Sequence, residues 1–386
     1  MTRKLRVIQL INAISDGGAE TLVKDYALHI DPNRFDVIIL TEYPLSVKSA
    51  NVRVLLEHGI KIMAPFGISK EKLIDKFFRK LRKLFIPMHW QNKYQEWYVK
   101  HQIVKYKPDV IHVHMKMLHY LPDLADKLKD TKLFYTCHSL PERYLNMGDC
   151  KNELVAAKFL IKNNNLCMIA LHESMQKELD DLFHVHSTRT LYNCVDIANF
   201  RDVDISKSKI RETIGIPKNA FVIGHTGRFC QIKNQSFLVD IFYYIAQKKP
   251  DAFLLMIGGG DSNEIVAMIE KYGLSNRYKI LSNRNDVNIL LHAMDVFVFP
   301  SYYEGMPIAL IEAQAAGLNC IASDSITSEA IVSNKAIQMD LNIGAKAWAE
   351  KIINDEFIGV QQSELMSFDV SNVMKEVEHL YSTNHV

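Results

Sequence analysis

Neither sign of charge is in excess in this chain: 46 Lys and Arg stand against 44 Asp and Glu over 386 residues. No global field therefore argues for a nucleic-acid partner. Cysteine is scarce and dispersed. The six residues, Cys137, Cys150, Cys167, Cys194, Cys230 and Cys320, form no Cys-x-x-Cys pair, which argues against a zinc site and fits a reducing compartment. Long apolar runs are lacking too. None reaches the span of a bilayer. The amino-terminal run Leu5 to Ile14 is interrupted by Gln9 and Asn12 before it meets Asp16-Gly17-Gly18, so it reads as a first strand rather than a secretory signal. The expected location is cytoplasmic. There is no internal repeat and no low-complexity segment, and the length suits two domains.

What is present centres on Phe299 to Gln314, FPSYYEGMPIALIEAQ. The apolar run Asp295 to Phe299 predicts a buried strand and Ser301 to Gly305 a turn. Pro307 is placed at a first helical position, where its missing N–H is not needed. Ile308 to Ala316 predict a helix stopped by Gly317. Free amides at Ile308 and Ala309 suit a pyrophosphate, whose charge the helix dipole favours. Glu304 and Glu312 cannot bind that phosphate; Glu312 suits ribose hydroxyls and Glu304 a sugar ring. On spacing alone, the two acids read more readily as a dipole-complementing acid and a solvated one.

Elsewhere strands alternate with helices. Strands are expected at Leu5–Leu10, Phe35–Thr41, Ile60–Ala64, Val110–His114, Lys132–Cys137, Leu166–Leu171 and Thr190–Asn193, then at Phe221–His225, Leu254–Ile257 and Asn319–Ser323. Such alternation predicts parallel sheets with helices on both faces, and ligands then sit beyond the carboxyl ends of the strands. Polar groups cluster at those ends. Asp16-Gly17-Gly18-Ala19-Glu20 forms a strand-to-helix turn, which reads either as an anion cradle or as a turn needing positive φ. His112 and His114 share a strand face; with no third ligand apparent they read as structural or supporting groups. His138 suits a hydroxyl contact, or is simply a satisfied half-buried ring. Thr226-Gly227-Arg228-Phe229 followed by Lys233-Asn234 suits a diphosphate clamp, the Arg giving a planar fork and the Lys a point charge. Gly258-Gly259-Gly260-Asp261 lacks the context of a dinucleotide fingerprint.

The stretch around Glu304 and Glu312, with Pro300-Ser301 before and Glu304-Gly305-x-Pro307 within it, resembles the Glu-x7-Glu signature of retaining glycosyltransferases of family 4 type (glycosyl transferases group 1). Gly17-Gly18-Ala19-Glu20, Gly227-Arg228 with Lys233-Asn234, and Asn193-Cys194-Val195-Asp196 resemble further elements of that family, in order along nearly the whole chain. The chain departs from it at Thr21, where relatives often carry Arg, and at Cys194 in place of Gly. The resemblance implies an α/β chain of GT-B fold: two Rossmann-like doubly wound domains, 1–195 and 196–367, facing across a cleft, with a C-terminal helix, 368–386, crossing back to the first. It implies transfer of a hexose or N-acetylhexosamine from a nucleotide diphosphate sugar, with UDP favoured, to a glycan that is commonly lipid-linked, as in capsular or exopolysaccharide biosynthesis. His138, Arg228, Lys233 and Glu304 become the catalytic set. Gly17, Gly18, Gly227, Gly258, Asp286, Gly305, Met306, Ile308, Ala309 and Glu312 become the donor-binding set. The Arg and Lys pair replaces a cation, so neither a metal nor another cofactor is expected. Two rivals stand beside this reading: a nucleotide-sugar epimerase of the same fold, which would epimerise donor without acceptor, and a non-catalytic partner subunit, which would bind no nucleotide.

Ser69 to Lys107 is the unusual segment. Lys70, Lys72, Lys76, Arg79, Lys80, Arg82 and Lys83 interleave with Leu73, Phe77, Leu81 and Leu84 at helical spacing, and Trp90, Tyr94, Trp97 and Tyr98 follow. A basic helix with aromatics suits peripheral docking on the anionic inner leaflet; it also fits a core helix with a solvated back. If docking is right, replacing Lys76, Arg79, Lys80 and Lys83 by Glu abolishes co-sedimentation with anionic vesicles, whereas undiminished binding would remove the idea.

Overall fold

The computed structural model describes residues 3–70, 87–142, 151–282, 284–361 and 363–383. The chain divides into two compact units, Met1–Tyr192 with Val373–Val386, and Asn193–Asn372.

Unit 1 holds strands β1 (Leu5–Ile11), β2 (Phe35–Thr41), β3 (Leu45–Ser46), β4 (Lys61–Met63), β5 (Ile68–Ser69), β6 (Val110–His114), β7 (Lys132–Thr136), β8 (Cys167–Ala170) and β9 (Arg189–Thr190). Seven form one parallel sheet, in the order β4-β2-β1-β6-β7-β8-β9, and β3 pairs with β5 beside it. The central strands are buried on both faces, which is why LRVIQLI and VIHVH lack a solvent-facing alternation. Val23, Ala27, Val52 and Leu55, from the helices Gly18–His29 and Ala50–Glu57, pack with Ile11 and Ile39 in one of its cores.

Unit 2 repeats the plan. Its strands are β10 (Phe221–Thr226), β11 (Ala252–Ile257), β12 (Tyr278–Leu281), β13 (Val296–Phe299), β14 (Asn319–Ser323) and β15 (Ala336–Met339), in the parallel order β12-β11-β10-β13-β14-β15. The helix Gln235–Lys248 buries Leu238, Val239, Ile241, Phe242, Ile245 and Ala246, the three-to-four repeat of a face laid on a sheet. In both sheets the first strand has later strands on either side, so chain order reverses at β1/β6 and at β10/β13. Ligands of open α/β sheets bind beyond the carboxyl ends at such points.

The structure departs from the sequence reading in particular places. Pro307 lies just outside the helix Ile308–Ala315, in extended conformation, rather than at its first position. Lys233 ends a short 3-10 turn, Gln231–Lys233; Asn234 then adopts a left-handed conformation (φ 53°) and the long helix starts at Gln235. The amphipathic tail Phe368 to Tyr381 predicts Val370, Val373, Met374, Val377 and Leu380 on one face; the terminal helix Val370–Ser382 buries the first four with Tyr381, so Tyr381 rather than Leu380 completes its inner face. The two passages of chain at the ends of unit 2 pair with each other: Val195 N donates to Phe368 O (2.8 Å), and Val370 N to Val195 O (3.0 Å). Lys76, Arg79, Lys80 and Lys83 lie outside the described residues. The helix that follows, Met88–Tyr106, buries Gln91, Gln95, Val99 and Ile103 and leaves Trp90, Tyr94 and Trp97 exposed. No helix among the described residues is long and apolar enough to cross a membrane.

The ends of β10 and β11 meet with almost no space between them. A Cβ on Gly258 would lie 1.9 Å from Gly227 O, whereas one on Gly259 meets nothing within 4 Å. Gly258→Ala is therefore expected to lower the stability of the protein by about 1–3 kcal/mol, the scale of overpacking. Gly259→Ala should stay within about 0.5 kcal/mol of wild type. Urea unfolding of the matched pair checks this; equal midpoints would show that the strand ends can part freely.

Candidate active site

Of the expected donor residues, Gly227, Gly305, Met306, Ile308, Ala309 and Glu312 follow β10 and β13 in unit 2, Gly258 and Asp286 follow β11 and β12, and Gly17 and Gly18 lie in unit 1. Lys233 Nζ bonds Glu304 Oε1 at 2.6 Å, with 20% and 15% of the two side chains exposed. The loops carrying them are tied through their backbones: Tyr302 N donates to Ile232 O (2.9 Å) and Asn234 Nδ2 to Pro300 O (3.2 Å). Lys233 also lies over the Phe299 ring, 5.0 Å from its centroid. Its stem passes close to Gly227, where a Cβ would come within 3.4 Å of Lys233 Cδ. Glu304, expected to face a sugar ring, thus has one of its oxygens bonded to Lys233.

Behind this pair, the helix Ile308–Ala315 buries Leu310, Ile311, Ala313, Gln314 and Ala315. Ile308, Ala309, Glu312 and Ala316 are only partly buried. Spacings of three and four put these on one face, so Glu312 shares a side of the helix with its first turn. Pro307 supplies no side-chain cap, and the amides of Ile308 and Ala309 keep the partial positive charge of an open helix start. Gly305 and Met306 are buried, and Met306 O accepts a hydrogen bond from Asn193 Nδ2 (3.1 Å).

Arg228 is exposed and forms no ion pair among the described residues. Its backbone is fixed, since Gln235 Nε2 donates to Arg228 O (2.8 Å). Gly227 N bonds Ile257 O (2.9 Å), Gly258 N bonds Leu281 O (2.9 Å) and Phe229 N bonds Gly259 O (2.8 Å), so the loops after β10, β11 and β12 form one hydrogen-bonded rim. Asp286 heads the helix Val287–Leu291; its carboxylate is engaged by Arg284, which holds it below the usual aspartate range.

In unit 1, Gly17 N-caps the helix Gly18–His29 with φ −93°, outside the positive-φ region, and without a side-chain cap bond. Around it, Ser15 Oγ donates to Glu20 Oε1 (2.6 Å) and Ser49 Oγ to Asp16 Oδ1 (2.8 Å). Thr21 accepts from Asn51 Nδ2 (3.2 Å) and so stabilises the loop. His138 follows β7 and is partly buried, with Nε2 3.0 Å from His114 Nδ1. Burial pushes its pKa down to about 4. The nitrogens of His112 face Tyr381 Oη (2.6 Å) and Thr136 Oγ1 (2.7 Å), and His114 Nε2 faces Gln9 Oε1 (2.8 Å). Both residues are therefore engaged in hydrogen bonds, and their rings stack at 4.2 Å between centroids.

Gln235 and His225 escaped the sequence reading, which named Asn193 and Asn234 only as parts of motifs. Asn193, Asn234 and Gln235 hold the donor loops, and His225, buried beneath them, donates its Nδ1–H to Val298 O (2.9 Å). Only the polar character of His225 within an apolar strand could have drawn notice. The chain also contains one Asp-x-Asp spacing, Asp202-Val203-Asp204. Asp202 there is exposed and held by Arg201 through both its oxygens (2.9 and 3.1 Å).

Comparison with known proteins identifies the family and the fold. The family model described as Glycosyltransferase Family 4 matches residues 16–199, and the model described as Glycosyl transferases group 1 matches residues 206–354. A protein of Bacillus subtilis (strain 168) named as the glycosyltransferase EpsF is 25% identical over 370 residues, covering 94% of this chain and 90% of its own. The UDP-Gal:alpha-D-GlcNAc-diphosphoundecaprenol alpha-1,3-galactosyltransferase of Escherichia coli is 26% identical over 299 residues, covering 72% of this chain and 76% of its own. The crystal structure of Anabaena HepE in complex with UDP and glucose superposes with a TM-score of 0.74 at 21% identity, covering 98% of this chain and 99% of that one. With both units matched in sequence and the whole chain matched in fold, this protein belongs to the glycosyl transferases group 1, the family 4 glycosyltransferases of GT-B fold.

Proposed function

We propose that this glycosyltransferase moves a hexosyl or N-acetylhexosaminyl unit from a UDP-sugar to a hydroxyl of a lipid-linked glycan during surface polysaccharide assembly, with retention at the anomeric carbon. The observation that carries the reading is the Lys233–Glu304 pair, 2.6 Å apart, just ahead of the uncapped helix start at Ile308. The printed name of the Escherichia coli relative, a galactosyltransferase acting on a diphosphoundecaprenol-linked sugar, supports the choice of donor and acceptor class. So does the UDP and glucose held by HepE.

As the glycosyl–phosphate bond loosens, positive charge builds on the sugar and negative charge on the leaving diphosphate. An ammonium has three donors. Glu304 occupies one on Lys233 and leaves two for phosphate oxygens. Arg228 adds a planar fork, and the amides of Ile308 and Ala309 add fixed dipoles. In this reading a leaving phosphate oxygen takes the proton of the acceptor hydroxyl while that hydroxyl attacks from the same face. Glu304 Oε2 and His138 serve sugar hydroxyls, Glu312 serves the ribose, and the Arg284–Asp286 turn lies toward the base. Gly17 and Gly18 offer the open start of their helix to the same donor. Charge neutralisation is assigned to the two cations, so the reaction as proposed calls for no metal. Peripheral contact with the cytoplasmic face of the membrane is part of the proposal. It is supported by Trp90 and Trp97, 63% and 56% exposed on the helix next to the basic segment.

Lys233→Ala and Arg228→Ala should each cost about 2–4 kcal/mol in kcat/KM, the scale for losing one preorganised donor to a developing charge. Glu312→Ala should act mainly by raising KM for the donor. Release of UDP from a panel of UDP-sugars measures both. Turnover undiminished by either cation substitution would remove the clamp. A thermal-shift screen identifies the donor, since a ligand at a hundred times its Kd adds about 2.7 kcal/mol; no response to any UDP-sugar would overturn the donor class.

A further inference from the structure

A chain of buried polar groups runs through unit 1 from the terminal helix to His138. Tyr381 Oη lies 2.9 Å from Gln9 Nε2; Gln9 Oε1 lies 2.8 Å from His114 Nε2; His114 Nδ1 lies 3.0 Å from His138 Nε2. A branch leads from Tyr381 Oη to His112 Nδ1 (2.6 Å), and from His112 Nε2 to Thr136 Oγ1 (2.7 Å). Gln9, His112, His114, Thr136 and Tyr381 are all essentially inaccessible to solvent, while His138 is partly open. Its Nδ1 has no partner among the described residues.

We propose that the buried chain from Tyr381 through Gln9 and His114 fixes which ring nitrogen of His138 carries the proton, the Gln9 carboxamide setting its polarity and Tyr381 acting as the positioning residue that anchors that carboxamide. The inference rests on the reading of His138 as the group that meets a sugar hydroxyl. Proton bookkeeping supplies the argument. Burial pushes His112 down to about 3, His138 to about 4 and His114 well below its ordinary value. Each ring is therefore neutral near pH 7, with one N–H and one bare nitrogen. With the Gln9 nitrogen facing Tyr381, the hydroxyl accepts from Gln9 and donates to His112 Nδ1, and His112 Nε2–H donates to Thr136. Gln9 Oε1 accepts from His114 Nε2–H, which leaves His114 Nδ1 bare. That nitrogen is then an acceptor for His138 Nε2–H, and His138 presents its Nδ1 lone pair outward. Turning the Gln9 carboxamide over would reverse every bond and leave His138 with an Nδ1–H instead. One presentation accepts a hydrogen bond from a sugar hydroxyl, and the other can only donate one. The low-dielectric surroundings make a mixed chain, with two donors or two lone pairs face to face, costly.

The test uses the whole protein labelled with 15N-histidine. Long-range 1H–15N correlation spectra report which nitrogen of each neutral ring bears the proton, and the His138 signal is identified by its loss in His138→Gln. The wild type should show His138 as the Nε2–H form alone. Tyr381→Phe keeps the ring among Phe35, His112 and Phe134 and removes only the hydroxyl. It should spread His138 over both forms and lower kcat for UDP release from the best-binding UDP-sugar by about tenfold, the low end for losing an outer partner of a functional histidine. Donor KM should change less than about twofold. Gln9→Met breaks the chain at a second point and should do the same, so one unfolded variant leaves the other decisive. A wild-type His138 already mixed, or a His138 that stays entirely Nε2–H in the folded variants, would overturn the relay, as would full kcat in Tyr381→Phe beside an inactive His138→Ala. Full kcat in His138→Ala would instead remove the sugar-contact reading, leaving the spectra to decide the relay by themselves.

Discussion

An ammonium and a carboxylate 2.6 Å apart, both largely withdrawn from water, set the character of unit 2. Two unit charges about 4 Å apart attract by about 4 kcal/mol at an effective dielectric near 20, but taking both out of water offsets much of that gain. The pair is therefore a modest contributor to stability. Its importance lies in what it keeps in place. Without Glu304, Lys233 would be a long flexible side chain with ordinary rotamer freedom. With it, a cation is held over the Phe299 ring and tied to the loop that leads into the helix Ile308–Ala315. The hydrogen bonds from Tyr302 to Ile232 and from Asn234 to Pro300 lock the two loops in register, so the positions of the charges follow from backbone geometry.

The sheets explain why those loops meet. Chain order reverses on either side of β10, and that reversal leaves the ends of β10 and β13 adjacent with their connections leaving in opposite directions. The same arithmetic applies to β1 and β6. Fold and site are thus one problem: the buried apolar strands fix the order, the order fixes the gap between diverging loops, and the loops carry the polar residues.

Much of this could be read from the sequence. The strand, turn and helix around Glu304 and Glu312 were legible because their signals are local: an apolar run, a Pro-Ser turn and a three-to-four repeat. The Lys233–Glu304 contact was not, because it joins loops 71 positions apart and depends on Asn234 taking a left-handed conformation that its type permits but does not require. The two-residue strands β3 and β5 carry too few residues to show a period. Tyr381 was passed over for Leu380 because hydrophobicity ranks leucine higher, whereas the helix turns the tyrosine inward to a buried glutamine and histidine. His112 and His114 were correctly placed on one face, but nothing local reveals that Gln9, from another strand, and Tyr381, from the opposite end of the chain, complete their hydrogen bonding. Thr21 shows the converse: where relatives often carry Arg, this chain has a short hydroxyl that serves its own loop, and that departure was visible in the sequence while its partner Asn51 was not.

The contact between Gly258 and the carbonyl of Gly227 also bears on how such chains can diverge. A side chain of any size at 258 needs the backbone at 227 to lift, and lifting it moves the stem of Lys233, which runs alongside. A lineage drifting at 258 finds no remedy in the residue type at 227, because the obstacle is a backbone carbonyl that every residue carries. Glycine kept at 258, whatever stands at 227, is the trace this geometry should leave in any collection of descendants.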